Sequence, residues 1–345
     1  MKIGYEGYSS GNNGIADRRR ILYWAAKRRH EIVDSRNPDA DIVVITSSAD
    51  LSYWSRVKTS KPLILDVVDG LIGEQNSVKD FVRGVGHISA HDRSKFKFRK
   101  FSKSLILAAS NCNSVICSSI EQVQEWRMRG INAIDILDFH EEIPRPVRIF
   151  DDLEKTADNL FWEGLPATIQ SMTLLGQLKN DDCSRRYKLN ALTNLESYRY
   201  MNKYVKVDVL RILEKQLDSN SIKINLVKWT PDNLIEYASN SRMGIIPIHA
   251  FKGYNHLKAE NRLLIMWRLG LPVLASALPS YIRTMKDADI PGICHNENDW
   301  AMHVTQLNQS ISLRQEHIGK AQEYLDKKHR VEDLLEKWDF ALGVN

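Results

Sequence analysis

Residues 257–276 read LKAENRLLIMWRLGLPVLAS. Lys258, Glu260, Asn261 and Arg262 crowd the front of an otherwise apolar, helix-periodic run. Gly270 stops that run, and LPVLAS (271–276) reads as a short buried strand. A helical period, a glycine stop and an apolar strand together make an αβ unit. Just upstream, MGIIPIH (243–249) reads as another buried strand, so the whole stretch is one β-α-β repeat. Helix starts favour anions. The four-residue spacing of Lys258 and Arg262 predicts that they share a helix face. Two cations stacked on one face repel unless an anion sits between them or Glu260 relieves them. A diphosphate fits that description; a solvated, capped helix start is the plainer alternative.

The same rhythm runs outward in both directions. After it come PGICH (291–295) and two closing helices. Before it come NLFWEG (159–164), YKLNALTN (187–194) and IKINLVKW (222–229), with helical patterns between. A first series reads MKIGYEG (1–7), EIVDS (31–35), DIVVITS (41–47), PLILDVVD (62–69), SVICSS (114–119) and AIDILDF (133–139). The two series are joined by EEIPRPVRIFDD (141–152), whose two prolines break the rhythm. Alternating strands and helices predict an α/β protein with two doubly wound, Rossmann-like domains facing a cleft. The boundaries fall at 1–150, 151–325 and a closing segment, 326–345. In such sheets ligands bind beyond the carboxyl ends of the strands.

Composition is that of an ordinary globular chain, 43% hydrophobic and 26% charged over 345 residues. No run reaches the roughly 18 apolar residues of a spanning helix. The first residues lack a basic region followed by an apolar one, so no leader and a cytoplasmic setting are expected. The four cysteines (Cys112, Cys117, Cys183, Cys294) form no CxxC pair, which signals neither zinc nor a disulfide framework. The net charge of +5 sits entirely in residues 1–150, with 23 Lys+Arg against 18 Asp+Glu. It is densest at 92–104, DRSKFKFRKFSKS, where cations alternate with phenylalanines. That pattern favours an anionic membrane surface or a lipid-linked acceptor. Nucleic acid is the rival reading, since aromatics stack on bases. The rest of the chain carries no nucleic-acid motif, so no nucleic-acid partner is expected.

Further candidates lie at strand ends. Gly164 separates a strand from PATIQSM and would let a phosphate reach backbone amides; a plain βα turn is the alternative. Pro279 and Ser280 open the helix that follows LPVLAS. In GYSSGNNGIADRRR (7–20), Gly11, Asn13 and Gly14 make a small, polar loop, and Asp17 reads as a cap or a base. It is not GxGxxG, so a dinucleotide reading is weak. In DVVDG (66–70), Asp69 stands at the strand's carboxyl end as a base or a turn residue. His87 and His91 fall in GVGHISAHDRSKF (84–96), read as a loop. With no HExxH and no third ligand, they bind no metal by expectation. Either is a base candidate, because imidazole titrates near neutrality.

The order WEG (162–164), VKWTPDNLIEYASNSRMGIIPI (227–248) and KAENRLLIMWRLGLPVLAS (258–276) resembles the donor half of GT-B glycosyltransferases, in particular their family-4-like group. DVVDG (66–70) and LILAASNCNSVICSSIEQVQEW (105–126) extend the resemblance to the first half. It implies a hexosyltransferase-type enzyme of bacterial surface-glycan assembly. The enzyme would move a sugar from a UDP- or GDP-linked donor to a saccharide or lipid-linked acceptor. No bound metal or other cofactor is implied. The N-terminal domain would take the acceptor, the C-terminal domain the nucleotide sugar, and 326–345 would pack back on the former. Gly164 would approach the diphosphate, and Trp229 and Thr230 the base. Lys258, Glu260, Asn261 and Arg262 would contact phosphate or sugar, with Pro279 and Ser280 lining the same site. Asp17, Asp69 and His91 would be the base candidates for an inverting reaction; a retaining one needs none. His87, Gly11, Asn13 and Gly14 would lie on the acceptor side. The sequence departs from the group in two places. Its paired glutamates are missing, with Ile265 at the second position and the first falling near Leu257. The Lys/Arg pair expected after WEG has only Arg185, Arg186 and Lys188 nearby. A sugar-nucleotide epimerase of the same fold and a non-catalytic GT-B-like scaffold are the alternatives.

Overall fold

The computed structural model describes the chain except residues 10, 92–98, 146–157, 181–185, 200–204, 219–220 and 345. Most of the basic-aromatic stretch, together with Cys183 and Arg185, lies outside the described residues. By internal contacts the chain divides into two compact units. One comprises Met1–His140, Phe251–Ala259 and Arg330–Asn345; the other comprises Glu141–Ala250 and Glu260–His329.

The first unit is built on six strands: β1 (Lys2–Glu6), β2 (Glu31–Asp34), β3 (Ile42–Thr46), β4 (Leu63–Val67), β5 (Ser114–Cys117) and β6 (Ala133–Asp135). All pair in parallel, in the order β2-β1-β3-β4-β5-β6. Strands β3, β4 and β5 are buried along their whole length, as a sheet covered on both faces requires. Trp24, Trp338 and Ile3 fill one core cluster, and Leu65, Leu105 and Trp126 another. The strand order reverses between β1 and β3, so the loop after β1 stands at a topological switch point.

The closing helix Val331–Leu342 puts Trp338 into that first core. It is fastened by Asp339, which accepts from Trp24 Nε1 at 2.7 Å and from Arg28 Nη2 at 2.7 Å.

Two expectations about this unit are corrected. The run IADRRRILYWAAKRR (15–29) has the apolar spacing of one helix but does not form one. Ile15–Arg18 and Ile21–Arg28 are separate, because the backbone breaks at Arg20 to send its side chain inward. There Arg20 forks onto Asp66 (2.6 Å from Nη2) and reaches Asp138 and the Ile136 carbonyl through Nη1. Nor are His87 and His91 in a loop: both lie in the helix Ser77–His91. Gly84 explains why a helix carrying two glycines persists. A side chain there would fall 1.9 Å from the Arg99 carbonyl oxygen, so the missing Cβ is what lets that backbone pack.

The second unit carries β7 (Asn159–Glu163), β8 (Tyr187–Thr193), an antiparallel ribbon of β9 (Ser197–Arg199) and β10 (Val205–Val207), then β11 (Ile222–Lys228), β12 (Met243–Ile246), β13 (Val273–Ser276) and β14 (Ile293–Cys294). The six sheet strands are parallel in the order β11-β8-β7-β12-β13-β14. Relative to their sequence order this is 3-2-1-4-5-6, the nucleotide-binding Rossmann arrangement, with its switch point between β7 and β12. The ribbon was not foreseen. The segment Pro166–Leu175 after β7 is 3-10 rather than α-helical.

One buried group makes the second unit acid-sensitive. His317, 1% exposed, finds no hydrogen-bond partner for either ring nitrogen among the described residues. Burial lowers its pKa to about 4, with Glu316 opposing and Lys320 and His303 reinforcing the shift. The unfolded imidazole titrates near 6.5. Protons therefore bind the unfolded chain preferentially between those values, and stability is complete above the upper value and falls as pH drops. The loss expected at pH 4 is about 3 kcal/mol. His317→Leu is expected to remove that part of the pH dependence in urea titrations at pH 4 and 7; an unchanged slope would contradict it.

Candidate functional site

β7 ends in Glu163, and Gly164 follows. Gly164 N–H is not open to a ligand: it donates to the Leu192 carbonyl at 3.0 Å. What the glycine provides is room. A Cβ there would sit 2.8 Å from Trp162 Cζ2, 3.0 Å from Thr168 Oγ1 and 3.1 Å from Arg262 Nη2. The guanidinium of Arg262 thus lies against the bare Gly164 Cα. Its Nε faces Glu163 Oε1 at 3.5 Å, beyond ordinary hydrogen-bond range. Its Nη1 is buried and has no partner among the described residues. Tyr281, fully buried nearby, has its hydroxyl pKa pushed up to about 12, chiefly by burial, with Arg262 opposing and Glu260 and Glu163 adding to the shift.

The KAENR reading needs correction. The helix begins at Asn261 and runs to Arg268, with Glu260 at its N-cap. Lys258 stands before it in extended backbone (φ −66°, ψ 139°), so Lys258 and Arg262 do not share a helix face. The boundary between the units falls inside this stretch: Lys258 belongs to the first and Glu260, Asn261 and Arg262 to the second. Lys258 places its ammonium 5.6 Å from the Tyr254 ring centroid. Glu260 is buried and already engaged, accepting from Arg283 Nη1 at 3.1 Å and Thr284 Oγ1 at 3.2 Å. Ile265 is buried.

Pro279 and Ser280 open the helix Pro279–Asp287 after β13; Pro279 is exposed and Ser280 fully buried. Trp229 and Thr230 follow β11 at the sheet's outer end. Thr230 is the N-cap of the helix Pro231–Ser239, its hydroxyl accepting from Asn233 N at 3.1 Å.

In the first unit, Asp17 is buried and occupied. Its carboxylate accepts from Tyr5 Oη (2.6 Å), Tyr8 N (2.8 Å), Ser9 Oγ (2.7 Å) and Gly14 N (2.9 Å). That describes the organiser of the loop after β1 rather than a free base. Gly11 (φ 82°) and Asn12 (φ 54°) turn this loop through the left-handed region, with Gly11 and Asn13 exposed and Gly14 half-buried. Asp69 stands exposed two residues beyond β4. His91 is exposed at its helix end, Nδ1 3.0 Å from the His87 carbonyl. His87 packs edge-on against Phe101 (centroids 5.2 Å apart), and burial lowers its pKa to about 4.

Leu257 opens the stretch 257–276. It is 3% exposed in the first unit's core, where it packs on Gly70; a Cβ on Gly70 would meet Leu257 Cβ at 2.3 Å. Its carbonyl accepts from Gln122 Nε2 (3.0 Å) and Ser119 Oγ (3.3 Å). Those donors come from the SSIEQ segment after β5. A lone leucine among polar neighbours was the signal for this anchor.

No protein-family model matches the sequence, and no curated protein matches it either. Solved structures do. The chain is similar to HepE of Anabaena, crystallised with UDP and glucose (TM-score 0.62, 11% identity, 100% of each chain covered). It is similar to WaaG, a glycosyltransferase involved in lipopolysaccharide biosynthesis (TM-score 0.61, 14% identity, 99% of this chain and 100% of that one). It is also similar to TarM of S. aureus, crystallised with UDP (TM-score 0.58, 14% identity, 87% of this chain). The chain spans about half of TarM, 55% of its length. Likeness at such identities speaks for architecture: two Rossmann-like units, each on a six-stranded parallel sheet, give this chain the GT-B fold.

Proposed function

We propose that the protein is a glycosyltransferase that takes a UDP- or GDP-linked sugar on its second unit and passes the sugar to a saccharide or lipid-linked acceptor. The observation that carries this reading is Arg262: a cation with an unpartnered buried donor, lying on a bare glycine at the sheet's switch point. Loss of a nucleoside diphosphate needs charge stabilisation at the leaving oxygens, and a guanidinium fork suits phosphate. Asn261, Pro279 and Ser280 complete the proposed donor set, with Trp229 and Thr230 toward the base. The solved structures with UDP support that ligand class.

The first unit is proposed to take the acceptor, with His87, Gly11, Asn13 and Gly14 on that side. Asp69 is the base favoured for an inverting reaction, since its carboxylate is exposed whereas Asp17 is saturated. Association with an anionic membrane through 92–104 concerns residues largely outside the described set. Support comes from Val78, Phe81 and Val82, exposed on the preceding helix. No helix among the described residues is long and apolar enough to cross a membrane.

Calorimetric titration with a panel of UDP- and GDP-sugars tests the reading. Binding of at least one is expected, followed by transfer to an added acceptor detected by NMR. Interconversion of the donor sugar without transfer would mean an epimerase. Binding of none would mean a scaffold.

A further inference from the structure

We propose that Glu163 is a place-holding counter-ion for Arg262, which the donor's diphosphate displaces. The proposal rests on the donor-site reading above. Glu163 and Arg262 are both largely shielded, at 15% and 17% side-chain exposure, so neither charge is fully hydrated. Yet they are poorly matched. The closest approach is Nε to Oε1 at 3.5 Å, where a fork-to-carboxylate pair would bring two nitrogens to within about 2.9 Å. Nη1 is left without an acceptor, and Nη2 is turned onto the Gly164 Cα.

A strong pair would lock the arginine; no pair would leave a cation half-buried and uncompensated. The observed loose contact does neither. It offsets the charge of Arg262 and leaves Nη1 without an acceptor until an anion arrives over Gly164. The carboxylate sits at the very end of β7, beside the glycine, so it can turn toward solvent without disturbing the sheet. Glu163 then sets affinity through Arg262. It raises the threshold for weakly charged anions and yields to a diphosphate.

Titrations of wild type, Glu163→Gln, Arg262→Gln and the double variant with UDP and with inorganic pyrophosphate test this, with thermal unfolding as the folding check. Glu163→Gln is expected to bind both about fivefold tighter, the order of one partly shielded ion pair. In the Arg262→Gln background the same change is expected to do nothing, because Glu163 acts through the arginine. Three results overturn the proposal. Glu163→Gln binding that is unchanged or weaker removes the competition. Equal tightening in the Arg262→Gln background makes Glu163 a direct repeller of the anion. Wild type that binds neither probe removes the donor-site reading itself, and the counter-ion role with it.

Discussion

Arg20→Ala is expected to destabilise the first unit by about 3–5 kcal/mol, a large share of the stability of an ordinary domain. The guanidinium is fully buried, holds Asp66 at 2.6 Å and Asp138 at 2.9 Å, and lies 5.6 Å from the Trp338 ring centroid. Asp66 is equally buried, and burial is the leading influence on its carboxyl, raising its pKa against the pull of Arg20. Removing the arginine leaves that carboxylate with no compensating charge, and it leaves the Ile136 carbonyl without its donor. Urea unfolding followed by tryptophan fluorescence measures the loss. If the alanine variant does not fold, Arg20→Met with Asp66→Leu is the informative partner. Replacing both charges by apolar groups of similar volume is expected to recover most of the stability, since the desolvation cost goes with them. A single variant within about 1 kcal/mol of wild type, the range of exposed pairs, would contradict a buried ionic tie from the helix break at Arg20 to β4 and the segment after β6.

Arg262→Gln is expected to weaken binding of UDP and of its sugar conjugate by about 100-fold, near 3 kcal/mol, the scale of one charge-assisted fork on a phosphate. Glutamine keeps a polar side chain beside Gly164 but loses the charge. Folding should change little, because the contact given up with Glu163 is long, 3.5 Å at its closest. Thermal unfolding separates the two outcomes. Weak binding with an unchanged midpoint places Arg262 in the ligand site. A large fall in the midpoint with little change in binding would make it a structural residue.

The architecture was legible because buried parallel strands are short, β-branched-rich apolar runs bounded by turn residues, as in LILDV (63–67) and VLAS (273–276). Elements were lost where a tertiary need overrode a local pattern. The helix at 15–29 breaks because Arg20 is drawn to Asp66, 46 residues away in sequence. The glycines of 84–86 suggested a loop, but Gly84 serves the approach of the Arg99 carbonyl. In the site, Gly164 was visible as a glycine between strand and helix. What it does was not: it seats a guanidinium while its own amide is taken by Leu192. Glu163 was overlooked because an acid at a strand end reads as solvated. Leu257 was overlooked because nothing local says which unit an apolar residue will enter. Lys258 and Arg262 were paired by helical spacing, but the helix begins at Asn261, three residues after Lys258.

The central claim is that a nucleotide's diphosphate sits at the end of β7, on Arg262. A crystal structure with UDP or GDP bound tests it most directly. The diphosphate is predicted within hydrogen-bond reach of the Arg262 fork and over Gly164, with Glu163 turned away from the arginine. A nucleotide found elsewhere, with Arg262 still facing Glu163, would contradict the account.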